Sequence, residues 1–205
     1  MTRVATAEEA LQRLSAGNQR FVADKRDYPN QTPGDRQKLA TGQHPFAAIL
    51  GCADSRVPPE IIFDQGLGQL FTVRVAGHFA DGAVLGSLEY AVEHLGVPLI
   101  VVLGHSRCGA VQAAIAGGAN AGNIATLVTA IQPAIALARA EPGELLDNAV
   151  RANVVLAVRQ LRAAARILAA EEAAGNLKVC GALYDLATGQ VDWLPSEAPS
   201  DLILH

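Results

Sequence analysis

The fold of this chain is organised around Gly51-Cys52-Ala53-Asp54-Ser55-Arg56, which directly follows the apolar run 46–50. A short apolar run bounded by turn residues is typical of a buried strand. Cys52 and Asp54 therefore lie where a strand ends and the chain turns. In parallel α/β sheets this end of the strand is where ligands bind.

A second stretch repeats this pattern about fifty residues further on. It reads Leu99-Ile100-Val101-Val102-Leu103-Gly104-His105-Ser106-Arg107-Cys108-Gly109. Together with Cys52, His105 and Cys108 make a soft, nitrogen-containing set of three ligands. A catalytic zinc takes three protein ligands and keeps the fourth position for water or substrate. A structural zinc takes four, and Asp54 is the only obvious fourth ligand, so a structural zinc or redox-thiol role stays open as an alternative.

Apolar runs elsewhere predict the rest of the sheet. Leu70–Val75 and residues 177–183 predict strands, and residues 191–194 predict an antiparallel hairpin partner. Helical patterns lie between the strands and predict crossover connections, so we expect a mainly parallel sheet with helices on both faces. Residues 27–41 are polar and predict a connecting loop, and residues 144–174 predict one long helix.

The two ends of this pattern are also informative. Thr6-Ala7-Glu8-Glu9 predicts a capping box that opens an N-terminal helix. Cys180 falls in the middle of the last core strand and is expected to be a buried small hydrophobe. His78 follows a glycine in a turn and could relay protons, but we expect a partly exposed loop histidine without a role.

Composition limits the classes of function. A chain of 205 residues fits one domain, and its net charge of −4 favours neither nucleic acid nor an anionic membrane as a partner. We expect no transmembrane helix and no signal peptide, because no apolar stretch is long enough. Three cysteines without a C-x-x-C motif predict free or metal-bound thiols in a reducing compartment, hence a cytoplasmic protein.

The pair of motifs C-x-D-S-R and G-H-S-x-C-G, each at a strand end, resembles the β-class carbonic anhydrases. The resemblance implies a single domain over residues 1–205, with an arm and loop in 1–35 and an α/β core in 45–205. It implies four parallel strands joined by a late antiparallel one. It also implies a helical arm that packs on a neighbouring subunit, in a homodimer or a tetramer of dimers. The alternative, a helix that packs on its own domain, stays open.

The activity implied by this resemblance is the reversible hydration of carbon dioxide to bicarbonate and a proton, by attack of zinc-bound hydroxide. The zinc ligands would be Cys52, His105 and Cys108. Asp54 and Arg56 are spaced so that both side chains can point to the same side, where Arg56 can hold the carboxylate in a bidentate pair. Held so, Asp54 can orient the hydroxide; released, it could become a fourth zinc ligand.

The family also implies a small apolar substrate pocket beside the metal, built in part from two subunits. The matching positions here are Gln43, Phe71, Ala76, Tyr90 and the backbone at Gly109. Phe71 and Tyr90 could equally be plain core residues. A second enzymatic hypothesis stays open, because a few relatives with the same metal site hydrolyse carbon disulfide or carbonyl sulfide.

Overall fold

The computed structural model describes residues 6–118 and 122–195. The predicted domain boundaries at residues 1 and 205 lie outside this part of the chain. Its centre is a five-stranded sheet in the order β2-β1-β3-β4-β5. The strands are β1 (Ala47–Cys52), β2 (Leu70–Val75), β3 (Leu99–His105), β4 (Lys178–Tyr184) and β5 (Val191–Trp193).

The first four strands are parallel, and β5 pairs antiparallel with β4. The predicted α/β class, with four parallel strands and a late antiparallel one, is confirmed. Every residue of β1 and β3 is buried, as expected for central strands covered on both faces. The order places β1 beside β3, so the two strands that end in the motif residues are neighbours.

Eight helices surround the sheet in the described residues. They are α1 (Ala7–Val22), α2 (Pro33–Leu39), α3 (Pro59–Ile62), α4 (Gly82–Glu93), α5 (Gly109–Ala116), α6 (Ile124–Ala138), α7 (Leu145–Ala164) and α8 (Arg166–Ala173). The predicted capping box is present, with Thr6 and Glu9 bonding each other's backbone N–H. None of the helices in the described ranges combines the length and hydropathy needed to cross a bilayer.

The prediction of a loop over residues 27–41 is wrong in part, because α2 forms inside it. Thr32 and Asp35 make a second capping box, and Pro33 occupies the first turn. None of the residues of α2 is buried. The helix therefore has no apolar stripe, and hydrophobic periodicity could not reveal it.

The prediction of one helix over residues 144–174 is also wrong. The helix is interrupted at Ala165, whose backbone is extended at φ −101° and ψ 97°. Leu168 is fully buried beyond the break, and Arg162 binds Glu172 across it with two hydrogen bonds of 2.8 and 2.9 Å. The break turns α8 back against α4 and the sheet, which a straight helix would not reach.

The core lies on both faces of the sheet. On one face α4, α7 and α8 pack on inward side chains such as Leu50, Ile100 and Val102. On the other face α1 and α3 pack on Ile49 and Val101. A third apolar cluster under α5, α6 and α7 contains Cys52 and Cys108, so the predicted metal ligands lie inside packed structure.

The inner face of α1 packs on its own domain. Ala10 and Leu14 are fully buried in the sheet cluster. Asn18 donates to the carbonyls of Ile62 and Gly189 at 3.2 and 2.8 Å and accepts the N–H of Val191 at 3.0 Å. Packing of this arm on a neighbouring subunit remains a prediction for its outer face.

Candidate metal centre

The ends of β1 and β3 bring the three predicted ligands together. Cys52 ends β1, His105 ends β3, and Cys108 caps the N-terminus of α5. Each residue offers one ligand atom: Sγ of Cys52, a ring nitrogen of His105 and Sγ of Cys108. These three atoms all lie within 4.8 Å of one another, and all three residues are buried. Two sulfurs and one imidazole at this spacing fit a zinc-type ion with one further position.

The ring of His105 is oriented for this purpose. Its Nδ1 lies 2.9 Å from the carbonyl of Ser106, which accepts a hydrogen bond when Nδ1 carries the proton. The other ring nitrogen, Nε2, is buried and has no hydrogen-bond partner within residues 6–118 and 122–195. A buried imidazole nitrogen with a free lone pair, turned toward two thiols, fits a metal ligand better than a structural histidine.

The two thiols share one proton. A hydrogen bond with Cys108 lowers the pKa of Cys52, and the N–H groups of Gly77 and Asp54 lower it further. The same bond to Cys52, with burial, raises the pKa of Cys108. These opposite shifts are two sides of one interaction, with Cys52 as the thiolate. A bound cation would take the place of the shared proton.

Asp54 lies beside the ligands and is held by Arg56. The guanidinium donates from Nε to Oδ1 at 2.9 Å and from Nη2 to Oδ2 at 2.7 Å. Hydrogen bonding from Arg56 holds the pKa of Asp54 far below its usual range, so the carboxylate is ionised. Its Oδ2 is 4.0 Å from Nε2 of His105. Asp54 can therefore reach the metal position, but in this structure it is paired with Arg56.

Backbone donors and Arg74 complete the surroundings, and the motifs did not indicate them. Arg74 donates to the carbonyls of Cys52 and Asp54 at 2.8 and 2.6 Å, which fixes the turn after β1. The N–H groups of Asp54 and Gly77 each lie 3.4 Å from Sγ of Cys52. The one available signal was an arginine placed one residue before the end of an apolar strand.

The structure brings only part of the predicted substrate pocket to this centre. Ala76 follows Val75, the register partner of Cys52, and Gly109 follows Cys108. Phe71 is four residues before Val75 on β2, about 13 Å along the strand. Tyr90 stands on α4 with 48 % of its surface exposed and its ring 6.3 Å from that of Phe71. Gln43 lies in the exposed loop before β1.

Two further predictions concern residues outside the ligand set. His78 is fully buried, so the expectation of a partly exposed loop histidine is wrong. Burial lowers its pKa to about 4, which keeps the ring neutral. Cys180 is buried in β4 as predicted, and burial raises its pKa to about 12.

Comparison with known proteins agrees with this geometry. The family model described as carbonic anhydrase matches residues 47–191. Carbonic anhydrase 2 of Mycobacterium tuberculosis is 46% identical over 185 residues, which cover 88% of this chain and 89% of that protein. A relative from Mycolicibacterium smegmatis, also a carbonic anhydrase, is 44% identical over 89% of this chain and 91% of its own length.

Solved structures give the same result. A structure from work on two tetrameric β-carbonic anhydrases of the ascomycete Sordaria macrospora superposes with a TM-score of 0.71, at 27% identity over 90% of this chain and 96% of its own. The β-carbonic anhydrase of Coccomyxa in complex with acetazolamide also gives 0.71, at 28% identity over 93% of this chain and 87% of its own.

Fold and site together define a mainly parallel α/β protein whose Cys/His/Cys group, at the carboxyl edge of the sheet, could hold a metal ion. The matches then identify the family: the chain belongs to the carbonic anhydrases, and to their β class. It is thus an enzyme of the carbonate dehydratase type, a lyase. The alternative of a non-enzymatic zinc or redox-thiol protein is wrong.

Proposed function

We propose that this chain catalyses the reversible hydration of carbon dioxide to bicarbonate and a proton at a zinc ion held by Cys52, His105 and Cys108. The observation that supports this most is the unpartnered, buried Nε2 of His105 among two thiols, with all three ligand atoms within 4.8 Å. A zinc ion held by these three residues would supply the Lewis acidity that makes water a nucleophile near neutral pH.

Asp54 and Arg56 have separate roles in this proposal. Asp54 is ionised and can only accept hydrogen bonds, so it orients a nucleophile that carries a hydrogen toward carbon dioxide. Arg56 positions the carboxylate through a bidentate pair. Arg56 also donates to the carbonyl of Arg107 at 3.4 Å, which links the two motif turns. Release of Asp54 from Arg56 would allow the carboxylate to become a fourth ligand.

The substrate pocket is proposed to be shared between two subunits. Ala76 and Gly109 lie at the ligands of their own chain, while Phe71 and Tyr90 form a separate aromatic pair near the outer strand β2. Two copies of the chain could supply both parts, with Gln43 contributed from the exposed loop. A tetrameric relative supports an oligomeric assembly, a homodimer or a tetramer of dimers. A cytoplasmic location and the carbon disulfide or carbonyl sulfide alternative stay predictions.

The test is a matched pair of cysteine variants. Cys108→Ala removes a ligand, while Cys180→Ala makes the same change at a buried cysteine of β4. We expect the Cys180 variant to keep one zinc per chain and the activity, and the Cys108 variant to lose both. Metal analysis and stopped-flow hydration of carbon dioxide measure the two quantities. Full zinc content in the Cys108 variant would refute the ligand set.

A further inference from the structure

Asn153 is a polar residue in the middle of the apolar face of α7, with only 4 % of its surface exposed. Its Nδ2 donates to the carbonyl of Gly77 at 2.7 Å and lies 3.1 Å from Nε2 of His78. A side-chain amide nitrogen carries two hydrogens and can serve both acceptors. Asn153 thus uses both of its donors on one turn that is 75 residues away in sequence.

The close approach of α7 to the sheet makes this contact reachable. A Cβ at Gly104 would lie 2.5 Å from Cγ2 of Val154, the residue next to Asn153. The absence of a side chain at Gly104 therefore lets this part of α7 lie directly on β3. The amide of Asn153 then reaches the turn that follows β2.

The turn held by Asn153 has an unfavourable backbone. Gly77 has φ +79° and His78 has φ +42°, so two consecutive residues are in the left-handed region. A positive φ is uncommon for residues other than glycine, although histidine adopts it more often than most, and the surroundings have to hold it. A side chain at Gly77 would meet Ile131, since a Cβ there would lie 2.6 Å from Cδ1 of that residue.

The consequence of this backbone is the direction of one N–H group. The Gly77 N–H points at Sγ of Cys52 at 3.4 Å. A hydrogen bond to a thiolate draws electron density toward the donor, so the sulfur gives less of it to a metal. A site with two thiolates has more donated charge than one with imidazoles alone, and such donors counteract that excess.

We propose that Asn153 is a positioning residue of the metal centre. Together with the bond of 3.0 Å from the His78 N–H to the Val75 carbonyl, it holds the peptide that follows Gly77 and so fixes the backbone conformation of Gly77. That conformation keeps the Gly77 N–H directed at Cys52, which limits the charge that this thiolate gives to the metal and preserves the Lewis acidity that the reaction needs. The proposal rests on the proposed metal site. It concerns the chain's own hydrogen bonds, and a spectroscopic signal can report on them without any assay of activity.

The experiment uses cobalt(II) in place of zinc, because thiolate-to-cobalt charge-transfer absorption reports how strongly the sulfurs donate. Asn153→Leu is close in size and has no donor. We expect this variant to keep one metal per chain while its charge-transfer band moves to longer wavelength. With zinc, we expect its kcat/KM for carbon dioxide to fall on the order of 10-fold, as for other residues that position the ligands of a metal by hydrogen bonds.

His78→Asn is the matched control. Asparagine tolerates the left-handed backbone at position 78, and Asn153 still holds the Gly77 carbonyl in this variant. We expect its band to stay at the wild-type position. A shift as large as that of Asn153→Leu would overturn the role assigned to the Gly77 contact.

The outcomes separate the two proposals. A wild-type protein without any thiolate-to-cobalt band refutes the metal site itself. A wild-type band that Asn153→Leu leaves unmoved, with one metal per chain, refutes only the role of Asn153. If the leucine variant does not fold, Asn153→Ala, which also lacks a donor, replaces it with the same expected shift. In wild-type protein loaded with ¹¹³Cd, absence of a scalar coupling between the Gly77 amide proton and the metal would also overturn the proposal.

Discussion

At the residue scale, neighbours decide what each titratable side chain can do. Asp54 and Asp185 are both aspartates after strand ends, yet of the two only Asp54 is paired with an arginine and lies beside the three candidate ligand atoms. Cys52 and Cys180 are both buried in strands, but hydrogen-bond donors surround Cys52 and apolar packing surrounds Cys180. The chemistry of each side chain therefore follows from its contacts and not from its type.

His78 gives a prediction about pH. Its pKa is lowered to about 4 in the folded chain, mainly by burial, although the Cys52 thiolate opposes the shift. In the unfolded chain the value is ~6.5, so below that pH the unfolded state gains a proton that the folded state cannot accept. This penalty grows as the pH falls and is complete near the folded pKa.

We therefore expect His78 to cost the protein on the order of 1 kcal/mol of unfolding free energy between about pH 7.5 and about pH 5.5. His78→Asn should lose correspondingly less stability over this interval. Urea unfolding of both proteins at the two pH values measures the difference. Equal losses in the two proteins would contradict this account of His78.

At the element scale, α1 is joined to its own domain at closely packed points. A Cβ at Gly17 would lie 1.8 Å from the carbonyl oxygen of Phe63, which is backbone and cannot move aside easily. Asn18 beside it binds three backbone groups, one each from α3, the β4–β5 connection and the first residue of β5. The position of α1 therefore depends on a glycine and an asparagine as much as on its apolar residues.

Gly17→Ala is expected to destabilise the protein by about 1–3 kcal/mol, since the added methyl group displaces α1. Gly34→Ala is the matched control, because a Cβ there meets only Oγ1 of Thr32 at 3.8 Å and α2 is exposed. The control should be unchanged or slightly more stable, by at most ~1 kcal/mol. Denaturant unfolding measures both, and equal stability of the two variants would contradict the tight contact.

At the scale of the whole molecule, one copy of the chain does not bring all the predicted substrate-pocket residues to the candidate metal centre. The three proposed metal ligands and Asp54 come together within one copy, but Phe71 lies about 13 Å along β2 from the register partner of Cys52. Tyr90, its aromatic neighbour, is half exposed on α4. An assembly in which these rings serve a second copy's metal centre would use both features.

Mixing two inactive variants tests this arrangement. One carries Cys108→Ala, and the other carries Phe71→Ala together with Tyr90→Ala. If the pocket is shared, a mixed dimer contains one site with intact ligands and intact partner rings, so refolding the two together should give clearly more activity than either alone. Mixing Cys108→Ala with His105→Ala is the control and should recover nothing, since neither chain has all three ligands. No recovery in the first mixture would place the pocket within one chain.

The sequence by itself determined the strands, their parallel arrangement and the meeting of Cys52, His105 and Cys108. A continuous apolar run such as residues 46–50 indicates a strand that is buried on both faces of the sheet. The residues that follow parallel strands must lie at the same edge of the sheet. The bidentate contact of Asp54 with Arg56 was also predictable, because two residues at this spacing interact locally. Each of these features depends on short-range pattern.

Only the tertiary structure decided the features that depend on contacts between distant segments. The break at Ala165 follows from packing and the Arg162–Glu172 contact, in a segment that has high helix propensity throughout. The burial of His78 and the hold of Asn153 on Gly77 arise because α7 lies close against the sheet. No local sequence pattern shows which side chain will contact an opposing helix or strand. The distance between the two elements is set by the packing of the whole core.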